Sequence, residues 1–168
     1  RPLIYTTHNR RASATVKTTS LNTGGRTGLN LNGAGNVVAL WDAGNVLTSH
    51  RELIGRAVQR DTTAVGATHA THVAGTLAAS GAWDIVRGMA PEIFVDSYNW
   101  VDDVAEMATA AANGLTLSNH SYGVPLGWVP NFHGDGLWAW MGDPAISNLE
   151  DFRYGWYDQL SATWDAIA

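Results

Sequence analysis

An acidic residue follows a short apolar run in the first third of the chain. Residues 36–42 read Asn-Val-Val-Ala-Leu-Trp-Asp, and Ala43, Gly44 and Asn45 then interrupt the run. Such a run predicts a strand that is buried on both faces of a sheet. In open α/β sheets, functional sites form at the carboxyl ends of the strands, so Asp42 is a candidate site residue. A surface acid that only ends or caps the strand is the alternative interpretation.

Two histidines lie three residues apart in the run Thr68–Thr76, which reads Thr-His-Ala-Thr-His-Val-Ala-Gly-Thr. On a helix, this spacing brings His69 and His72 near one face. One interpretation is a metal pair in a metal-dependent hydrolase, although the run lacks the Glu of the longer zinc-protease motif. A second assigns His69 to catalysis and His72 to packing. A third makes both histidines structural.

The two histidines lie in a segment with the features of a helix. Small and apolar residues run from His69 to Ser80. Thr68 is the predicted N-cap, and Gly81 is the predicted stop.

Apolar runs and helical spacing predict the other regular elements. They are a strand at Ile93–Ser97, a helix that Asp102 or Asp103 caps and that reaches Asn113-Gly114, and a strand at Leu115–Ser121. Residues 1–35 are expected to form an extended, irregular N-terminal segment, and residues 124–146 a long loop. Ser147–Glu150 resembles a capping box, after which apolar residues continue at helical spacing from Leu149 to Ile167.

Strands and helices alternate in this order, which predicts an α/β fold with a mainly parallel sheet between layers of helices. The length of 168 residues fits one domain. Three strands are fewer than the roughly five or six of an average sheet. We therefore expect residues 1–168 to be the N-terminal portion of a larger α/β domain, which is incomplete in this chain; the family resemblance described below implies that this domain is a three-layer sandwich.

Composition excludes several classes of protein. The chain has no cysteine, so neither a disulfide scaffold nor a thiol nucleophile is available. The formal net charge is −5, and basic residues are too few and too scattered for a nucleic-acid face. No apolar stretch approaches the roughly 18 residues of a membrane span.

Four motifs, in order along residues 36–123, together resemble subtilisin-like serine peptidases. Residues 37–44 resemble the catalytic-Asp motif of that family, and residues 69–76 resemble its catalytic-His helix. Gly88-Met89-Ala90-Pro91 is similar to the family's Gly-x-Ala-Pro turn. Residues 113–123 are similar to the strand that ends in Ser-x-Gly.

The resemblance implies a role for each matching residue. Asp42 would accept a hydrogen bond from the imidazole of His69, and His69 would be the general base for a serine hydroxyl. Ser121, Tyr122 and Gly123 would pair with an extended peptide or protein substrate. The family also implies a secreted protein, extracellular or periplasmic in a bacterium.

The sequence departs from the family at two functional positions. None of its nine serines follows the Gly-Thr pattern that precedes the family's nucleophile. The family's oxyanion Asn would fall beyond Ala168. We therefore expect this chain to be inactive alone, and its partner to be the remaining C-terminal part of the catalytic domain, as the same or a nicked chain.

No cofactor is required by the implied reaction, although calcium is a structural candidate. Glu52 lies where the family often has a calcium-binding acid, and Asp84 could supply a further oxygen ligand. A surface role for Glu52 beside Arg51 or Arg56 is the alternative.

Two other functions compete with the serine peptidase. The first is a metal-dependent hydrolase that uses His69, His72 and one carboxylate. The second is a non-catalytic, degenerate peptidase fold that binds extended peptides along Ser121–Gly123.

Overall fold

A computed structural model describes residues 9–61 and 65–168 of the chain. These residues form two compact units, the first ending at Ser121 and the second spanning Tyr122–Ala168. Each unit has its own strands and helices.

A parallel four-stranded sheet is the centre of the first unit. Its strands, in chain order, are β1 (Val37–Asp42), β2 (Ala57–Gln59), β3 (Phe94–Asn99) and β4 (Ser118–His120). Their order across the sheet is β2-β3-β1-β4. All three pairings are parallel, so the α/β class expected from the sequence is confirmed.

The central strand β1 has the burial that its apolar run predicts. Every residue from Val38 to Asp42 is buried, and a neighbouring strand lies on each side of β1. Strand β3 lies slightly later than expected, and β4 has only three of the seven residues predicted for it.

The short strand β2 was not predicted. It pairs with β3 alone, through Val58 opposite Asp96 and the neighbours of that pair. Strand β2 has only three residues, and Arg56 and Arg60 flank it. It therefore has no apolar run that could have indicated a strand.

Two longer helices belong to the first unit, α3 (Thr68–Ala78) and α4 (Asp103–Ala112). Helix α3 buries Ala70, Ala74 and Ala78, whose small side chains let it approach the sheet closely. It begins one residue earlier than expected, because Ala67 and not Thr68 is the N-cap. No side chain caps it, and it ends at Ala78, three residues before Gly81.

The expectation of an extended N-terminal segment over residues 1–35 is wrong for part of its length. Two short helices, α1 (Asn9–Thr15) and α2 (Thr18–Leu21), lie there, and residues 1–8 fall outside the described part. Local hydrogen bonds hold these polar residues in place. The Thr18 hydroxyl donates to the Ser13 carbonyl at 3.2 Å, and Asn22 Nδ2 donates to the Leu31 carbonyl at 2.8 Å.

The expected long loop at residues 124–146 contains an antiparallel hairpin in the second unit. Its strands are β5 (Trp128–Pro130) and β6 (Trp138–Trp140), with Trp128 opposite Trp140. Tryptophan favours strands, but three residues are too few to show an alternating pattern in the sequence. The loop prediction was therefore wrong for these two strands.

The last helix begins ten residues later than its apolar spacing indicated. Helix α5 spans Gln159–Ile167, and Asp158 caps it by accepting from the Ser161 amide at 2.8 Å. The predicted capping box at Ser147–Glu150 forms a turn, in which the Ser147 hydroxyl accepts from the Leu149 amide at 3.1 Å. Asp151 is buried, and Arg153 Nη2 donates to its carboxylate at 2.6 Å. This local pairing competes with helix formation, so the helix begins only after it.

Membrane insertion through a helix finds no support in the described residues. None of the helices there has the length and apolar character that crossing a bilayer requires.

Candidate active site

Asp42 and His69 lie 27 positions apart in the chain, and the fold brings their side chains into contact. His69 Nδ1 lies 2.8 Å from Oδ1 of Asp42 and 2.9 Å from its Oδ2. The Asp42 residue is fully buried, whereas the imidazole side chain is 58% exposed. One end of the ring is thus held by a buried carboxylate while the other faces outwards.

Asp42 is the last residue of β1, so the strand sets the position of its carboxylate. Burial of an unpaired carboxylate would be costly. Here Oδ1 also accepts from the Ala43 amide at 2.7 Å, and the Asp42 carbonyl accepts from the Trp100 amide at 2.9 Å. These bonds and the imidazole offset the burial and hold the residue at the carboxyl edge of the sheet.

His69 is the second residue of α3, and two backbone contacts set where that helix begins. Asn45 and Gly66 form a parallel β-bridge, within which the Ala67 amide donates to the Asn45 carbonyl at 2.9 Å. One turn into the helix, the Thr71 hydroxyl accepts from the Leu47 amide at 2.9 Å. The loop after β1 is therefore tied to the start of α3, which places the imidazole over Asp42.

Gly44 makes this close approach feasible. A Cβ at this position would lie 2.5 Å from the Val65 carbonyl oxygen and 3.2 Å from the Ala67 Cβ. Its φ of +150° also lies in a region that side chains rarely adopt. The glycine that ends the apolar run in the sequence therefore has a geometric function at the site.

The hydrogen bond with Asp42 determines the tautomer of neutral His69. A carboxylate oxygen can only accept, so Nδ1 must carry the proton. In the neutral ring Nε2 is then an acceptor with a free lone pair. Within residues 9–61 and 65–168, no hydrogen bond engages Nε2. The ring is consequently prepared to take a proton from a group that approaches from outside.

His72 does not pack into the core, contrary to one of the interpretations made from the sequence. Its side chain is exposed on α3. Among the described residues, no group of three or more histidine and acidic side chains is arranged to hold a metal. His69 contacts Asp42 through Nδ1, and a metal pair with His72 stays a prediction.

A groove of about 610 Å³ runs beside the exposed side of α3. We call it the α3 groove. The loop after β1, helix α3 and the segment after α3 each contribute to it, including Leu47, His50, Thr71, His72, Trp83 and Val86. The sequence did not indicate this groove, because its walls come from three separate segments.

The candidate substrate residues follow the edge strand β4. Ser121 comes directly after β4, and its hydroxyl accepts from Asn119 Nδ2 at 2.9 Å. Ser121 and Gly123 are exposed, and Ser121–Gly123 lies outside regular structure. Their pairing with a peptide stays a prediction.

Glu52 organises the loop that follows α3. Its Oε2 accepts from the Ser80 hydroxyl at 2.7 Å, the Gly81 amide at 2.8 Å and the Ala82 amide at 3.0 Å. Burial alone would raise the pKa of Glu52, but these donors outweigh it, and the pKa falls below its usual value. All three donors contact Oε2 of Glu52, while Asp84 lies exposed in a 3₁₀ turn at Asp84–Val86. Calcium binding here stays a prediction.

The residue before Asp42 has surroundings that the sequence did not reveal. Trp41 is fully buried, stacks against Tyr98 and His120, and donates its indole N–H to Glu106 Oε2 at 3.0 Å. Burial raises the pKa of Glu106, partly opposed by the Trp41 hydrogen bond. Burial lowers the pKa of His120. Glu106 lies 65 positions from Trp41, too far for any local pattern to link them.

No protein-family model matches the chain, and no curated protein matches it.

Proposed function

We propose that this chain supplies the Asp–His pair of a serine endopeptidase of the subtilisin-like family. The observation that carries the proposal is the contact of His69 Nδ1 with both oxygens of the buried Asp42 carboxylate, at 2.8 and 2.9 Å. It joins the two residues that the sequence motifs select independently. The parallel sheet, with Asp42 at its carboxyl edge, is compatible with that family's three-layer fold.

In the proposed reaction, His69 acts twice. Nε2 first removes the proton of a serine hydroxyl as the oxygen attacks the peptide carbonyl, and the resulting imidazolium then gives that proton to the leaving amine. Asp42 keeps the ring in the Nδ1–H tautomer and stabilises the imidazolium, without taking the proton itself. Water repeats the cycle on the acyl-enzyme to release the second product.

The nucleophile of this proposal comes from outside the present sequence. None of the serines in residues 1–168 has the family's Gly-Thr-Ser context. We assign the serine and the oxyanion Asn to the remaining part of the catalytic domain, in the same or a nicked chain. The exposed side of the His69 ring is open to that part of the domain.

The substrate is an extended peptide or protein segment. Strand β4 is the outer strand at its side of the described sheet, and Ser121–Gly123 follows it. Pairing of a peptide with this segment would use backbone hydrogen bonds, so a broad tolerance of side chains is expected. Secretion is part of the same proposal, since it is inferred only from the family resemblance.

Hydrolysis of an unstructured protein by the complete gene product tests this function. We expect wild-type enzyme to release peptides and His69→Ala to lower turnover by roughly 10⁶-fold. A zinc chelator distinguishes the metal-dependent alternative, because the serine mechanism needs no zinc. Activity that survives His69→Ala, or that the chelator removes and added zinc restores, would overturn the proposal.

A further inference from the structure

Three aromatic rings form a continuous stack across three adjacent strands. Trp41 on β1 lies parallel to Tyr98 on β3, with ring centroids 4.5 Å apart and an angle of 11° between the rings. On its other side it lies parallel to His120 on β4, at 5.0 Å and 9°. The same residues are register partners in the sheet. The side chains therefore reinforce the alignment that the backbone sets.

Glu106 of α4 fixes the middle ring of this stack. The Trp41 indole donates to Glu106 Oε2 at 3.0 Å, and Trp41 is completely buried. A buried indole N–H without its acceptor would cost free energy, so this contact determines the rotation of the ring. The Trp41 side chain thus connects the sheet, the aromatic stack and helix α4.

This arrangement bears directly on Asp42, the next residue of β1. Successive side chains of a strand point to opposite faces, so Trp41 turns towards α4 while Asp42 turns towards His69. A shift of the indole would move the end of β1. A displacement of the carboxylate by even a fraction of an ångström weakens a hydrogen bond as short as 2.8 Å.

We propose that Trp41 is a positioning residue for the Asp42–His69 pair, and that Glu106 is the anchor that holds Trp41 in place. The inference rests on the proposed function only for its catalytic consequence. By this inference, residues on the opposite face of the sheet control the Asp42–His69 hydrogen bond. This effect can be measured on the chain even if the chain has no activity.

The tautomer of neutral His69 is the appropriate readout, because it reports the hydrogen bond to Asp42 and not stability. A histidine without an acidic neighbour has nothing that favours the Nδ1–H tautomer. Weakening of the hydrogen bond to Asp42 therefore shifts the neutral His69 ring towards the Nε2–H tautomer. Nitrogen-15 NMR of the histidine rings in the 168-residue chain, above the pH at which His69 is protonated, measures the ratio. Asp42→Asn is the positive control.

Two variants remove the Trp41–Glu106 hydrogen bond from opposite ends. Trp41→Phe keeps a stacked ring but has no N–H, and Glu106→Leu removes the acceptor. We expect each to lower the Nδ1–H to Nε2–H ratio of His69 by roughly two- to tenfold, the range set by one net hydrogen bond. Glu106→Gln keeps an acceptor oxygen and should restore the wild-type ratio.

Thr109→Val is the matched control on the same helix. Its hydroxyl donates to the Ala105 carbonyl at 2.9 Å, so this substitution leaves the Trp41–Glu106 hydrogen bond intact. A ratio unchanged in both Trp41→Phe and Glu106→Leu, or lowered equally by Thr109→Val, would overturn the proposal. If Trp41→Phe fails to fold, Glu106→Leu alone decides, since it removes the same bond. Failure of proteolysis with an altered ratio would instead overturn only the proposed function.

Discussion

The amide of Ala67 donates to the carbonyl of Asn45 at 2.9 Å and thereby ties the start of α3 to the loop after β1. This bond lies between the two halves of the candidate site, since Asn45 follows Asp42 by three residues and Ala67 precedes His69 by two. The Asp42–His69 contact therefore depends on backbone geometry that neither side chain provides itself.

Replacement of Gly44 tests this dependence. In Gly44→Ala, the new Cβ would lie 2.5 Å from the Val65 carbonyl oxygen, so the Asn45–Gly66 bridge must shift. We expect a loss of about 2–4 kcal/mol in the free energy of unfolding, measured by urea denaturation. Gly35→Ala is the control, because Gly35 also has a positive φ but open space around it. It should lose only about 1 kcal/mol, and equal losses in both variants would argue against the close approach.

Asp42→Asn separates the role of the carboxylate from its place in the fold. The amide has nearly the same shape, so the structure should persist, but its nitrogen would favour the wrong tautomer of His69. We expect turnover of the complete enzyme to fall by roughly 10⁴-fold. The steady-state rate on a peptide substrate measures this. An unchanged rate would remove Asp42 from the mechanism.

His72→Ala should leave both stability and turnover nearly unchanged. The side chain is exposed, and surface changes of this kind alter the free energy of unfolding by no more than about 0.5 kcal/mol. Thermal unfolding and peptide hydrolysis, each compared with His69→Ala, provide the check. A large loss of stability would restore the packing role that was one of the three interpretations of the sequence, and loss of activity with bound zinc would favour a metal site.

Glu52 gives stability a defined dependence on pH. Its folded pKa is lowered, so the stabilisation is present above the unfolded pKa of 4.5 and is lost as pH falls through the folded pKa. Glu52→Gln should therefore destabilise the chain by about 1.5–3 kcal/mol near neutral pH. The difference from wild type should shrink in acid. Exposed Glu150→Gln is the control, and an equal Glu52→Gln deficit at both pH values would contradict the prediction.

Glu106 should have the opposite pH dependence. Burial raises its folded pKa, Trp41 partly opposes the rise, and Asp61, Asp102 and Asp103 add to it. The contribution of Glu106 is then complete below 4.5 and is lost as pH rises through the folded pKa. Relative to wild type, Glu106→Gln should gain stability between acid and neutral pH in urea denaturation. A difference that does not change with pH would show that the carboxyl titrates as it does in the unfolded chain.

The sequence allowed prediction of the parts of the site that lie in local patterns. The apolar run before Asp42 indicated a buried strand, and the spacing around His69 indicated a helix of small residues. The two elements that hold the site residues were therefore both predicted. Ala70 and Ala74 fit that prediction because burial of a helix face repeats every three to four residues.

Features that depend on distant or very short segments could not be predicted in this way. Strand β2 and hairpin strands β5 and β6 have three residues each, too few for a periodic signal. The start of α5 depends on the Asp151–Arg153 pairing, which competes locally with helix formation. The Trp41–Glu106 bond joins a strand to a helix 65 positions away, and only the assembled sheet brings the two together.

Labelling of the complete protein with a fluorophosphonate tests the central claim most directly, because the probe reacts only with an activated serine. We predict one labelled serine, outside residues 1–168, on the same chain or on a co-purifying polypeptide of distinct mass. Labelling should disappear in His69→Ala and persist in His72→Ala. No label on the wild-type protein, or label that is independent of His69, would contradict the assignment of Asp42 and His69 to a serine peptidase.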